Sequence, residues 1–125
     1  MQLEELINKI NKSLDELDLV TARKYIEENI ELLNKNKALL NSNARALLEF
    51  LTDNQKSDVK PLTRQEMSTI NSINIYALRF DIRGLKLLIK DKANLLSRKD
   101  VVQYLNSDAK TILSGMGVIE KKDQQ

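Results

Sequence analysis

Asn74, Asp81 and Lys92 are the residues whose types and setting come closest to a chemical constellation. All three interrupt an apolar arc between Thr63 and Leu96. A buried charge without a partner is costly, so such residues are paired, hydrogen-bonded or placed at an opening. Three readings follow: an internal hydrogen bond that fixes helix register, a ligand or partner pocket around Asp81, or a helix less buried than its apolar arc implies. Little else in the chain offers chemistry. It has no His and no Cys, which removes most zinc sites, most general-base catalysis near neutral pH, and the Ser-His and Cys-His nucleophile pairs. No Gly-rich phosphate loop, metal-ligand spacing or carboxylate pair stands out. The expectation is a protein without catalytic activity, bound metal or cofactor.

The element that must position these three residues is the stretch from Thr63 to Leu96, which reads as one long, largely buried central helix. At about 100° per residue, Ser68, Ser72, Arg79, Arg83, Lys86, Lys90 and Asn94 share one narrow polar strip. Nearly everything else is apolar, from Met67, Ile70 and Ile73 through Leu85 to Ile89 and Leu96. A surface helix needs an apolar stripe of about 100° or a little more. This one is far wider, so it must be covered from at least two sides. Thr63 with Glu66, just after Pro61, is the capping-box pattern that opens a helix. Ala77 and Gly84 fall on nearly one angle and would admit a neighbouring helix, with a kink or break at Gly84 as the alternative.

Ahead of it, Leu3, Ile7, Ile10, Leu14 and Leu17 keep the a/d spacing of a coiled-coil seam. They imply either a short helix packed in the protein's own bundle or an association seam for a partner or second copy. Asp18 is the candidate N-cap of the next helix. From Leu19 to Lys35 apolar residues fall on one side and Glu27, Glu28 and Glu31 on the other. A turn around Asn34 to Lys37 precedes a third amphipathic segment, with one long helix from Leu19 to Thr52 as the alternative. Short antiparallel helices with small Ala22 and aromatic Tyr25 at a close approach resemble the helix pairs of tetratricopeptide-type solenoids over about 35 residues. The Gly and Pro positions of that family are missing, and no second copy recurs at its period of roughly 34 residues. The resemblance therefore implies helix pairing and does not bring the family's peptide-binding groove with it.

Residues 53–62 read as a polar, Pro-bearing linker. Residues 97–119 have the layout of a helix-turn-helix: Ser97 and Asp100 as a cap, a helix through Val101 and Leu105, a turn at Asn106 to Asp108, and a helix ending at Gly115. In that layout Lys110 and Thr111 would face DNA. A recognition helix should present several donors to phosphates and base edges, and this one has few. A plain terminal helix pair that caps the core is the stronger expectation. Residues 120–125 read as a frayed, charged tail.

The net charge is +2, too small to name a partner. It is uneven, because residues 1–34 carry eight acidic side chains against four basic ones. The acidic first third is expected to fold onto, or pair with, the basic remainder, with a solvated surface of no functional meaning as the alternative. No apolar run has signal-peptide or membrane-spanning length, which points to a soluble, cytoplasmic protein and to no membrane partner. Abundant Lys, Asn and Ile fit an AT-rich bacterial coding sequence. Together these features predict an all-α, compact bundle of about five helices in one domain over residues 1–119. Front helices fill residues 1–52, and the central helix and terminal pair follow the linker. The expected role is a small protein–protein interaction or regulatory module, acting on a protein partner or on itself as a homodimer. A DNA-binding regulator is the alternative.

Overall fold

Periodic apolar residues and side-chain caps set most of the helix boundaries in the computed structural model, which describes residues 1–54 and 60–121. Eight α-helices occur among the described residues: α1 Leu3–Asp15, α2 Leu19–Glu27, α3 Ile30–Asn34, α4 Ser42–Asn54, α5 Arg64–Leu78, α6 Ile82–Ile89, α7 Ala93–Leu96 and α8 Ser107–Met116. Short 3-10 turns, Lys37–Leu39 and Lys99–Tyr104, lead into α4 and α8. The described residues form no strand. Asp18 caps α2, accepting from the Thr21 N–H at 3.3 Å and the Thr21 hydroxyl at 2.8 Å. Thr63 and Glu66 form the reciprocal capping box at the start of α5. One contiguous apolar core draws on every α-helix.

The continuous helix expected from Thr63 to Leu96 does not form; α5, α6 and α7 occupy it, so there are more and shorter helices than the five expected. The first break lies at Phe80, whose φ is 54°. The Phe80 N–H donates to the Ala77 carbonyl and the Asp81 N–H to the Tyr76 carbonyl, the paired bonds of a left-handed helix stop. Asp81 then starts α6 by accepting from the Gly84 N–H at 2.9 Å. Asp81, apparently an intruder in an apolar arc, is the residue that ends it. Gly84 is not the break. It sits in the first turn of α6, where an added Cβ would lie 2.8 Å from Tyr76 Cε1. The helical projection ran through a real discontinuity and so misplaced Leu87, while Ile75 and Leu78, within α5 itself, were counted as buried on their apolar character; all three are exposed.

The helix expected from Leu19 to Lys35 is divided into α2 and α3, and the chain turns after Asn34 as expected, so the alternative of one helix from Leu19 to Thr52 does not form either. Asparagine amides return to carbonyls four residues back, Asn29 to Tyr25 at 2.8 Å and Asn34 to Ile30 at 3.0 Å. Such side-chain bonds satisfy the open carbonyls of a helix end and compete with continuation. Ser97 likewise closes α7, its hydroxyl donating to the Ala93 carbonyl at 2.7 Å, rather than opening a helix with Asp100. The segment after it is therefore a 3-10 turn, and α8 starts under Asn106, which accepts from the Ala109 N–H at 2.8 Å. Of the expected linker, Asp53 and Asn54 end α4 and residues 55–59 lie outside the described residues. Glu120 and Lys121 of the expected tail are exposed and not helical, and residues 122–125 lie outside the described residues.

The same order of elements occurs twice. Helix, left-handed stop, Asp-capped helix, short helix, 3-10 turn and Asn-capped helix run from α1 to α4 and again from α5 to α8. The sequence repeats with it. Ile7-Asn8-Lys9-Ile10-Asn11 matches Ile70-Asn71-Ser72-Ile73-Asn74, and Leu40-Asn41-Ser42-Asn43-Ala44 matches Leu105-Asn106-Ser107-Asp108-Ala109. Leu17, at φ 62°, corresponds to Phe80, and Asp18 to Asp81. Two extra residues in the second half lie between α7 and α8 and lengthen its 3-10 turn. No second copy exists at the tetratricopeptide spacing because the repeating unit is four helices, not two. The halves join where α4 packs on α7 and where the end of α8 returns to α2, the Val20 N–H donating to the Gly117 carbonyl at 2.9 Å.

Candidate functional site

The residues singled out from sequence are dispersed to separate structural tasks. Ile7, Ile10, Leu14 and Leu17 are buried in the chain's own core and Leu3 is half-buried against it. The a/d seam is thus occupied intramolecularly, with α2 and α4 packed on α1. Asn74, Asp81 and Lys92 do not converge. The Asn74 amide donates to the Tyr104 carbonyl at 2.9 Å, and its Oδ1 accepts from the Asn106 N–H at 2.9 Å. Asn106 returns its own amide to the Asn74 carbonyl at 3.2 Å. Asn74 therefore makes the internal bond that one of its three readings anticipated, pinning α5 to the entry of α8. Asp81 is exposed and engaged as a cap. Lys92 precedes α7 and pairs with adjacent Asp91 at 3.7 Å.

Lys110 and Thr111 border a cleft of about 310 Å³ together with Val102, Ser114, Ile119, Glu120 and Lys121. The first helix of the expected helix-turn-helix is absent, since Lys99–Tyr104 is a 3-10 turn. A second cleft of about 510 Å³ lies between the halves, where Leu14, Asp15 and the start of α4 meet Leu87, Lys90 and Asp91. Among the described residues no cluster of three or more acidic side chains could hold a metal ion. No helix among them is long and apolar enough to cross a membrane.

The buried charge that sequence reasoning missed is Arg98, only 9% exposed. It sits in the two-residue lengthening that distinguishes the second half. Its guanidinium makes a fork to Asp100, Nε at 3.0 Å and Nη2 at 2.8 Å, and Nη2 also donates to the Lys60 carbonyl. Glu66 lies 3.8 Å from Nη1. This ties the approach to α5 onto the 3-10 turn. The Arg98 hydrogen bond holds the Asp100 carboxyl below its usual range, against the opposing effect of burial. In the folded state Asp100 therefore binds its proton only at lower pH than in the unfolded chain. Its contribution is complete above about pH 4 and is lost as pH falls through the depressed folded value. The urea midpoint should fall further between about pH 5 and pH 2.5 in wild type than in Asp100→Asn. Equal losses would show that the fork does not set the acid response. Arg23 on α2 is a partly buried cation. Burial pushes its guanidinium down from the usual value, offset by Glu120 and Glu27. It donates to the Ser97 hydroxyl at 3.3 Å and the Val118 carbonyl at 3.4 Å, holding the end of the chain against α2.

What is left unpartnered is the outer surface of the α5–α6 pair. Ile75 and Leu78 lie one turn apart on α5 and Phe80 occupies the stop; all three are exposed, Leu78 at 70% and Phe80 at 73%, while Leu87 on α6 is exposed at the cleft between the halves. Arg79, Arg83, Lys86 and Lys90 interleave with them and are exposed too. The one acid within this stretch, Asp81, is engaged in capping. The corresponding stop of the first half is different, because Leu17 is buried and the chain segment after α8 lies beside it. A bulky residue with positive φ is strained by about 1–2 kcal/mol. Burial offsets that cost at Leu17; at Phe80 the side chain stays exposed, and among the described residues the paired stop hydrogen bonds hold the conformation. The signal that could have found this surface is the repeated Asp-capped stop, which puts Phe80 in register with a core residue. In comparisons with protein-family models, with curated proteins and with solved structures, the chain matches none.

Proposed function

We propose that the protein is a small helical interaction module that binds a protein partner through the exposed apolar and basic surface of α5 and α6. The observation that carries this reading is Phe80: a strained, aromatic, 73% exposed side chain where the equivalent residue of the first half is buried. Aromatic and Arg side chains are enriched at interface cores, and an exposed aromatic held in a strained conformation is a ready anchor. The core encloses the N-terminal seam, so partner binding through α5 and α6 is better supported than self-association through α1. The composition supports a cytoplasmic, bacterial setting. DNA binding through residues 97–119 has weaker support, because only α8 of the expected helix pair forms and it offers Lys110 as its one basic side chain.

The test is selection from a random-peptide display library. Wild type is expected to enrich a common motif, and the exposed-site variants Leu78→Asp and Phe80→Asn are expected to lose it while keeping the wild-type circular dichroism spectrum. Asn tolerates the left-handed conformation, so Phe80→Asn removes the ring without removing the stop. Enrichment of no peptide, or of one indifferent to both changes, would remove the reading.

A further inference from the structure

The two halves of the chain show what the exposed stop lacks. In the first half, the stop at Leu17 and Asp18 is met by the segment that follows α8. The Gly117 carbonyl accepts from the Val20 N–H at 2.9 Å, and Arg23 donates to the Val118 carbonyl at 3.4 Å. Glu120 follows closely enough to favour the charged form of Arg23. Val118 and Ile119 are both buried by this arrangement. Each receiving group has a counterpart in the second half: Phe80 for Leu17, Asp81 for Asp18, Arg83 for Val20 and Lys86 for Arg23. No carbonyl among the described residues accepts from the Arg83 N–H. The segment that would correspond to Gly117–Ile119 is Thr52, Asp53 and Asn54, and it cannot play that part. There α4 continues as helix to Asn54, whereas α8 stops at Gly117, and two of the three residues are strongly polar.

We propose that the α5–α6 stop is a docking site for an extended segment of a partner protein with the chemistry of this chain's own Gly-Val-Ile-Glu, residues 117–120. The segment's first carbonyl takes the Arg83 N–H, its two aliphatic side chains cover Phe80 and Leu78, and its acid pairs with Lys86. Charge complementarity fixes the acid, because Arg79, Arg83, Lys86 and Lys90 make this surface basic. A second copy is the poorer occupant, since its own segment is already held on its own α2, where the effective concentration is intramolecular. The proposal rests on the interaction-module reading and names the partner chemistry of that same surface.

A labelled synthetic peptide with the sequence of residues 115–122, titrated into the full chain by fluorescence anisotropy, tests it. Saturable binding is expected, weakened about tenfold or more by Phe80→Asn, the loss typical of a removed aromatic anchor. Replacing Val and Ile of the peptide by Ser should abolish it. Lys86→Glu should weaken it, and a peptide with Lys in place of its Glu should restore binding to that variant and not to wild type. Absence of saturable binding, or binding indifferent to Phe80→Asn, overturns the proposal. So does a wild-type dimer in analytical ultracentrifugation that Phe80→Asn dissociates, because the occupant would then be a second copy. If the peptide fails while library selection enriches an unrelated motif through Phe80, this partner chemistry falls and the module stands. If both fail, both fall.

Discussion

Asn74→Leu is expected to destabilise the protein by about 2–3 kcal/mol, while Asn11→Leu, at the same position of the first half, should change stability by less than about 0.5 kcal/mol or raise it. The two asparagines occupy the same place in the repeated Ile-Asn-x-Ile-Asn run. Asn74 gives two side-chain bonds to the approach to α8, and its removal strands the Tyr104 carbonyl and the Asn106 N–H at a half-buried junction. Each stranded group costs about 1–3 kcal/mol, discounted here because water reaches part of the junction. Asn11 Oδ1 is buried and has no partner among the described residues. A polar atom buried without a partner already carries its desolvation cost, so an apolar side chain of similar size relieves it. Urea midpoints of the two variants measured against wild type decide the matter. Equal losses would mean that the asparagines do the same work in both halves and that the clamp is not what distinguishes them.

The reason for the difference lies in the turn before the last helix of each half. In the first half, Arg45 on α4 reaches back to that turn, donating to the Lys37 carbonyl at 3.3 Å and the Leu40 carbonyl at 2.9 Å. In the second half the turn is two residues longer, Arg98 and Asp100 brace it, and Asn74 takes the place next to Asn106. A repeated architecture has thus been closed with two different sets of polar contacts. In both sets the residue before the repeated Leu stays on the surface, Leu39 at 56% and Tyr104 at 45% exposure.

Helical class, the Asp18 cap and the Thr63–Glu66 box were legible in the sequence because each depends on neighbours within one turn. The breaks were not. Gly and Pro are the usual marks of a stop, and here Leu17 and Phe80 take the left-handed position that Gly normally fills. A projection carried across Phe80 loses the true phase of every later residue, which is why Leu87 read as core. The wide apolar arc was real as composition and wrong as geometry: it merged the buried face of α5, at Ile70, Ile73 and Ala77, with its exposed outer face at Ile75 and Leu78. The candidate site was legible only through the repeat, and the matching Leu-Asn-Ser-x-Ala runs were the available signal. A search at the tetratricopeptide spacing passes over a unit twice as long. The burial of Arg98 was not legible at all, since its fork reaches to Asp100 while its carbonyl partner lies across the fold at Lys60.

Gly117→Ala is expected to cost about 2–4 kcal/mol, and Gly115→Ala, two residues earlier, to stabilise by about 0.5–1 kcal/mol. Gly115 lies inside α8 with nothing within 4 Å of an added Cβ, so alanine gains only helix propensity. Gly117 has φ 86°, and its N–H with that of Val118 closes α8 by returning to Ser114 and Leu113. A side chain there is strained by about 1–2 kcal/mol before any contact is counted. Its Cβ would then lie 2.7 Å from Asp18 Oδ1 and 3.2 Å from Asp18 Cγ, so relief requires moving the carboxylate that caps α2. The loss should therefore appear at both ends of the chain. Amide exchange at Val20, whose N–H is held by the Gly117 carbonyl, should quicken in Gly117→Ala by more than the global loss of stability accounts for. If the exchange follows global stability alone, the chain end is not an independent latch on the first stop. The comparison between covered and uncovered stops would then lose its physical basis. If Val20 opens first, the same segment that closes the first half is shown to be separable from it, which is what a partner segment on the second half requires.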